Sequence, residues 1–240
     1  MPDTRKPLLI LGAIALFALA CSDAGALGTR EARSIREVGG FDSVRFGTSG
    51  ELIITQGDRE ALEIVVPAGD LPHIVTEVNS GTLSIGWEGA GRSLSFRAPV
   101  FRLTMRTVRS LENTSSGRIS AKDIHADSLR IRISSSGDVS IATLAADSLE
   151  VLLSSSGSLR AAGTVDRQDV VLSSSGSYSA EGLACRNAQV RVSSSGSATV
   201  RVSDSLDATV SSSGDLRYFG SPQGLNGRVT SSGRLVRLGN

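Results

Sequence analysis

The strongest constraint on this chain is a beat. Ser-Ser-Gly recurs through its second half with the glycine at Gly117, Gly137, Gly157, Gly176, Gly196, Gly214 and Gly233. Successive intervals between those positions are 20, 20, 19, 20, 18 and 19 residues. A flexible linker has no reason to keep a period. A near-constant period of this length marks a solenoid, in which each repeat buries its apolar face only by stacking on its neighbours.

Alignment on the glycine exposes the pattern of each coil. Four residues before it stand Ile133, Leu153, Leu172, Val192, Val210 and Val229. Six before it stand Ile131, Val151, Val170, Val190, Ala208 and Gly227, and eight before it Leu129, Leu149, Gln168, Ala188, Leu206 and Leu225. Two residues after it come Ile119, Val139, Leu159, Tyr178, Ala198, Leu216 and Leu235. The intervening places are mostly polar. Period-2 alternation on both sides of the motif predicts a strand, a bend at Ser-Gly and a second strand, followed by a variable return segment. The expected fold is all-β: a right-handed parallel β-helix (β-solenoid) with coils of about 20 residues. Coils stacked at ~4.8 Å make the regular part roughly 30 Å long.

The motif itself reads as a corner. Glycine is expected there because it tolerates positive φ. The serine two places before each glycine (Ser115, Ser135, Ser155, Ser174, Ser194, Ser212 and Ser231) shares the parity of the apolar columns. These hydroxyls are therefore expected to face inward as a hydrogen-bonded ladder. A catalytic role for seven equivalent serines makes little physical sense, since a nucleophile works singly beside a base.

The two ends carry different signals. Arg5 and Lys6 precede the 14-residue apolar run "PLLILGAIALFALA", which is shorter than the ~20 residues a bilayer-spanning helix needs. Residues 1–20 read as a secretory signal peptide. The run closes on "ALAC", which resembles the lipobox of bacterial lipoproteins, so Cys21 is the expected lipidation site. Ser22 in the next position favours outer-membrane sorting in the pattern this resembles. Residues 22–34, "SDAGALGTREARS", read as a tether behind the lipidated cysteine, leaving 35–240 as the folded domain with regular coils over about 110–240. The second cysteine, Cys185, then has no disulfide partner and is expected to be a small buried hydrophobe. A formal net charge of +1 makes no case for nucleic acid or an anionic surface.

Residues 41–110 lack the clean beat but stay strand-like. "FDSVRFGTSGELIITQG" is a looser version of the coil, and "HIVTEVNSGTLSIGW" reads as a hairpin turning at Asn79-Ser80-Gly81. Early irregular coils and an N-terminal cap over the open sheet edge are expected. The stretches "GFDSVRFGTSGELIITQGDREALEIVV" and "VNSGTLSIGW", followed by repeated "SSSG" coils, are similar to the bacterial family called putative auto-transporter adhesin, head GIN domain. The resemblance covers roughly residues 35–240 and lies in pattern rather than in any one residue. It implies a right-handed β-helix related in shape to pectin lyases, exported, often lipid-anchored and concerned with adhesion rather than catalysis. It carries over no catalytic residue. The C-terminal membrane-barrel segment of true autotransporters is not expected here.

The sequence offers little chemistry. His125 lies near Asp123, Asp127 and Ser128, but close neighbours along a strand rarely converge on one centre, and Asp147-Ser148 repeats the pair in the next coil with Ala145 in the histidine's place. No cofactor or metal-ligand spacing stands out. The reading is a non-enzymatic, envelope-anchored lipoprotein that presents a surface for adhesion or scaffolding. Its expected partners are the membrane through Cys21, and an envelope or cell-surface protein or glycan. The alternatives are a carbohydrate-active or glycan-binding β-helix, marked by outward carboxylates and arginines converging in one groove, and a periplasmic interaction module that dimerises through its C-terminal coil.

Overall fold

The computed structural model describes residues 30–88 and 98–240. The signal segment, Cys21 and most of the tether lie outside the described residues. The described chain is a β-solenoid built as one sixteen-stranded sheet system. Its elements are β1 (Glu31–Arg36), β2 (Ser43–Phe46), β3 (Glu51–Gln56), β4 (Ala61–Pro67), β5 (Ile74–Asn79), β6 (Thr82–Trp87), β7 (Val100–Met105) and β8 (Ser110–Asn113). They continue as β9 (Arg118–Ile133), β10 (Asp138–Leu153), β11 (Ser158–Leu172), β12 (Ser177–Val192), β13 (Ser197–Val210), β14 (Asp215–Phe219), β15 (Gly224–Val229) and β16 (Arg234–Gly239).

From β9 to β13 each strand runs from one corner to the next, so the segments expected as variable returns are themselves paired. β10 lies parallel on β9 with Val139 opposite Ile119 and Leu153 opposite Ile133. The uneven repeat lengths are absorbed at the returns. The register slips between Ile141 and Leu144 where β10 meets β11, and between Ala180 and Ala184 where β12 meets β13. The arms and corners stay aligned because they carry the buried columns, and a one-residue slip there would turn every apolar side chain outward. Ile131, Val151, Val170, Val190 and Ala208 form one such column, buried throughout.

The first third of the chain follows an unexpected route. β2 and β3 form a coil that stacks directly on the first regular one, with Val44 opposite Leu111 and Leu52 opposite Ile119. Between them in sequence, the chain leaves this coil and lays down an outer one. β6 pairs in parallel with β2, and β7 with β3. It then returns to β8. The outer coil is closed by antiparallel strands: β5 on β6, β4 on β7 and β1 on β4. This is the expected cap. The expected hairpin turn holds Ser80 at φ 49° and Gly81 at φ 78°, the two left-handed residues of a type I′ connection.

Strand order along the second arm runs β1-β4-β7-β3-β9-β10-β11-β12-β13-β14-β16. The start of the described chain thus sits at one pole and its end at the other. Ten strand spacings put the poles about 48 Å apart.

Candidate functional site

The corner is the most repeated local structure. The residue after each motif glycine donates its N–H to the glycine carbonyl one coil back, as in Ser177 N to Gly157 O at 3.1 Å and Ser197 N to Gly176 O at 3.0 Å. On the near side, Ser173 N donates to Leu153 O and Ser193 N to Leu172 O. These bonds draw successive corners together and explain the glycine. A Cβ on Gly117 would stand 2.5 Å from Thr48 O, and one on Gly157 2.5 Å from Gly137 O. Gly137, Gly176 and Gly196 are crowded by backbone in the same way, while at Gly214 and Gly233 the nearest atoms belong to the Val192 and Val210 side chains, 2.8 Å away. None of the seven has positive φ. Close approach of backbones, rather than left-handed conformation, requires glycine here. The left-handed residue is instead a serine, in the last three corners only: Ser194 at φ 61°, Ser212 at 57° and Ser231 at 59°.

The inward serine ladder does not form. Ser115, Ser135, Ser155 and Ser174 are half-buried, and Ser194, Ser212 and Ser231 are exposed. The bend rotates the chain so that the buried place falls to the glycine, which leaves no inward room for a hydroxyl. Coil-to-coil hydroxyl bonds come mainly from one residue earlier, where Ser173 Oγ donates to Leu153 O and Ser193 Oγ to Leu172 O.

Two of the four buried polar residues of the described chain stand in core columns and went unrecognised in the sequence. Asn113 fills a core column where later coils have Ile133 and Leu153. Its Nδ2 donates to Gly117 O at 2.7 Å and its Oδ1 accepts from Ser115 N, which ties the first regular corner shut. Gln168 sits in a leucine column and accepts a 2.8 Å hydrogen bond from the Tyr178 hydroxyl at its Oε1. Both partners break their columns in adjacent half-coils, and that coincidence was the available signal. Burial pushes the Tyr178 phenol well above its usual range. Cys185 lies beside this pair. Burial raises its thiol, which donates to Asn187 O at 3.1 Å, so it is a packed and unreactive sulfur.

The outer surface is polar and laced from coil to coil. Arg118 meets Asp138, Arg130 meets Glu150, Arg191 meets Asp169, and Arg234 grips Asp215 through two 2.7 Å contacts. Along the return side runs a shallow groove of about 890 Å³, floored by residues such as Ala146, Val165 and Val202 and rimmed by Asp147, Asp166, Arg186 and Arg201. Arg186 is held by Asp204 at 3.0 Å, and Arg201 lies 4.8 Å over the Phe219 ring and donates to Glu181 O. Tyr178 and Tyr218 are buried in the core, while Trp87 is half-buried and stacked on His73 in the cap.

His125 is engaged through its backbone, where Gln56 Oε1 accepts from its N–H at 2.8 Å. No hydrogen bond joins the side chains of His125, Asp123, Asp127 and Ser128. Among the described residues no group of three or more His, Cys, Asp or Glu side chains is placed to hold a metal ion.

These features define a class: a capped parallel β-solenoid whose repeated geometry is its corner and whose exterior is a lattice of polar side chains. Residues 40–222 match the family described as putative auto-transporter adhesin, head GIN domain, and the chain belongs to that family. Similar folds are found in a putative adhesin from Bacteroides fragilis (TM-score 0.83, 21% identity, covering 88% of this chain and 98% of that one). They are also found in a putative lipid binding protein from Parabacteroides distasonis (0.70, 22%, 87% and 96%). A putative adhesin from Parabacteroides merdae is a third (0.69, 18%, 87% and 96%). At these identities the likeness speaks for the fold. No protein of curated function matches the chain.

Proposed function

We propose that this protein is an exported, non-enzymatic adhesin of the bacterial envelope, anchored through lipid on Cys21. The observation that carries this reading is the placement of the two ends. The described chain starts in the outermost strand at the capped pole, and the sixteenth strand lies at the other. An anchor at Cys21, ten residues before β1 begins at Glu31, would leave the solenoid standing as a rigid rod with its far pole about 48 Å from the cap. Membership of a family named for adhesion supports the role. Outer-membrane sorting rests on Ser22 after the lipobox-like cysteine.

The test is protease shaving of intact cells that carry a tag near Asn240, beside a Cys21→Ala control. Loss of the tag from intact cells, together with release of the Cys21→Ala protein from the membrane fraction, supports an outward-facing anchored adhesin. Cleavage only after the envelope is opened overturns a role at the outer surface.

The return-side groove favours a second reading. Asp147 and Asp166 share it with Arg186 and Arg201, the convergence of acid and base that a glycan-binding β-helix would use. Retention of the protein on immobilised envelope polysaccharide that Asp147→Ala/Asp166→Ala abolishes would support it. Unchanged retention would remove the groove from consideration.

A further inference from the structure

We infer that the terminal coil, β15 and β16, is a docking edge for an extended acidic polypeptide segment, which adds to it as one more strand. The inference rests on the anchored-rod reading only in taking this pole as the distal one.

The seven exposed large hydrophobic residues of the described chain all lie in pole strands: Ile35, Val75 and Val78 at the cap, and Leu225, Val229, Val236 and Leu238 in the terminal coil. The long flanks between the poles contribute none. Leu225 and Val229 continue the inward columns above Leu206 and Val210. Their exposure therefore marks a core column that lacks its next layer. β15 pairs only with β13, and β16 pairs along its length only with β14. Each presents a second edge of N–H and C=O groups that another extended strand can satisfy through main-chain hydrogen bonds. At the opposite pole, the outer coil carries antiparallel strands on both arms.

Charge selects the occupant. Elsewhere on this rod several outward arginines, though not all, are answered by a carboxylate one coil away, as in Arg45–Glu112, Arg118–Asp138 and Arg130–Glu150. Residues 224–240 contain Arg228, Arg234 and Arg237 and no acid. Arg234 is met from below by Asp215, and Arg237 is folded back onto Gly220 O, Ser221 Oγ and Asn240 Oδ1. Arg228 stands opposite Thr209 and has no ion pair. A second copy docked tail to tail would set arginine against arginine, which like-charge pairing across strands opposes. An extended segment that alternates apolar and acidic residues would continue both the columns and the ion-pair pattern.

The test uses the full chain and two synthetic peptides, Ac-(Val-Asp)4-NH2 and Ac-(Val-Lys)4-NH2, with amide hydrogen exchange as readout. The expected result is that the acidic peptide slows exchange in Gly224–Gly239 and the basic one does not. Arg228→Glu, at an exposed site, should weaken that protection at least about tenfold while leaving thermal unfolding unchanged. Equal protection by both peptides overturns the proposal, as does none at peptide concentrations on the order of 1 mM. Slowed exchange in the same strands that rises with protein concentration alone, with no peptide, overturns it in favour of a second copy. None of these outcomes bears on the anchor, which the shaving experiment tests separately.

Discussion

At the residue scale the corner glycines are held by distance rather than by dihedral angle. Gly157→Ala would drive its Cβ against Gly137 O and Ile133 Cγ2, each 2.5 Å away. Overpacking of this kind costs about 1–3 kcal/mol, so the variant should unfold at markedly lower denaturant. Ser156→Ala, at the exposed neighbour, should change stability by no more than about 0.5 kcal/mol. The position of the glycines was legible in the sequence because a period is visible without coordinates. Their reason was not, because alternation says which way a side chain points and nothing about how near the next backbone lies. The Gln168–Tyr178 pair makes a second test. Tyr178→Phe leaves the buried Gln168 Oε1 without its donor and should cost about 1–3 kcal/mol. Adding Gln168→Leu should recover much of that loss, and the double-mutant cycle should report strong coupling.

At the scale of elements, strands are joined through their outward faces as well as their ladders. Asp215 of β14 shows this best. The Arg234 side chain of β16, first by hydrogen bond and then by charge, holds the Asp215 carboxyl below its ordinary range, with Arg217 adding to the effect. A carboxylate lowered in the folded state stabilises the fold above its unfolded pKa, and that support is lost as pH falls through the folded value. NMR titration should place the Asp215 midpoint below that of an ordinary aspartate, and Arg234→Ala should return it. Acidification below the ordinary aspartate range should then loosen β16 before the central coils, seen as faster amide exchange in Arg234–Gly239. The arms, the type I′ hairpin and the existence of a cap could all be read from alternation and turn residues. The antiparallel closure of β1 and β4 could not, because their alternation is that of any half-buried strand and carries no direction.

At the scale of the whole molecule, stability in a stacked array is close to a sum over coils and their nearest neighbours. Each interior coil has two neighbours and the terminal coil one. Amide protection should therefore be greatest near β10 to β12 and lowest in β15 and β16, and it should rise again in the capped first coil that β2 and β3 form. A native-state exchange profile that is flat along the rod would contradict nearest-neighbour stacking. The candidate site divides the same way. The corner was legible from seven Ser-Ser-Gly motifs set at a near-constant spacing. The groove was not, because it arises where small side chains from successive coils line up on the return side, and an interval of 19 or 18 residues tells that a coil is short without telling where its register slips.

The looped route through the first third has one more consequence. Because the chain departs from the β2–β3 coil, builds the outer coil and then comes back, the capped pole is sewn shut by segments up to residue 113, and nothing beyond that point takes part in it. Everything after is laid on one coil at a time in a single direction. A tandem duplication or loss of one whole coil between Gly137 and Gly196 would lengthen or shorten the rod by a single strand spacing and leave the cap untouched. The reach of such a protein is thus a quantity that a genome can count in units.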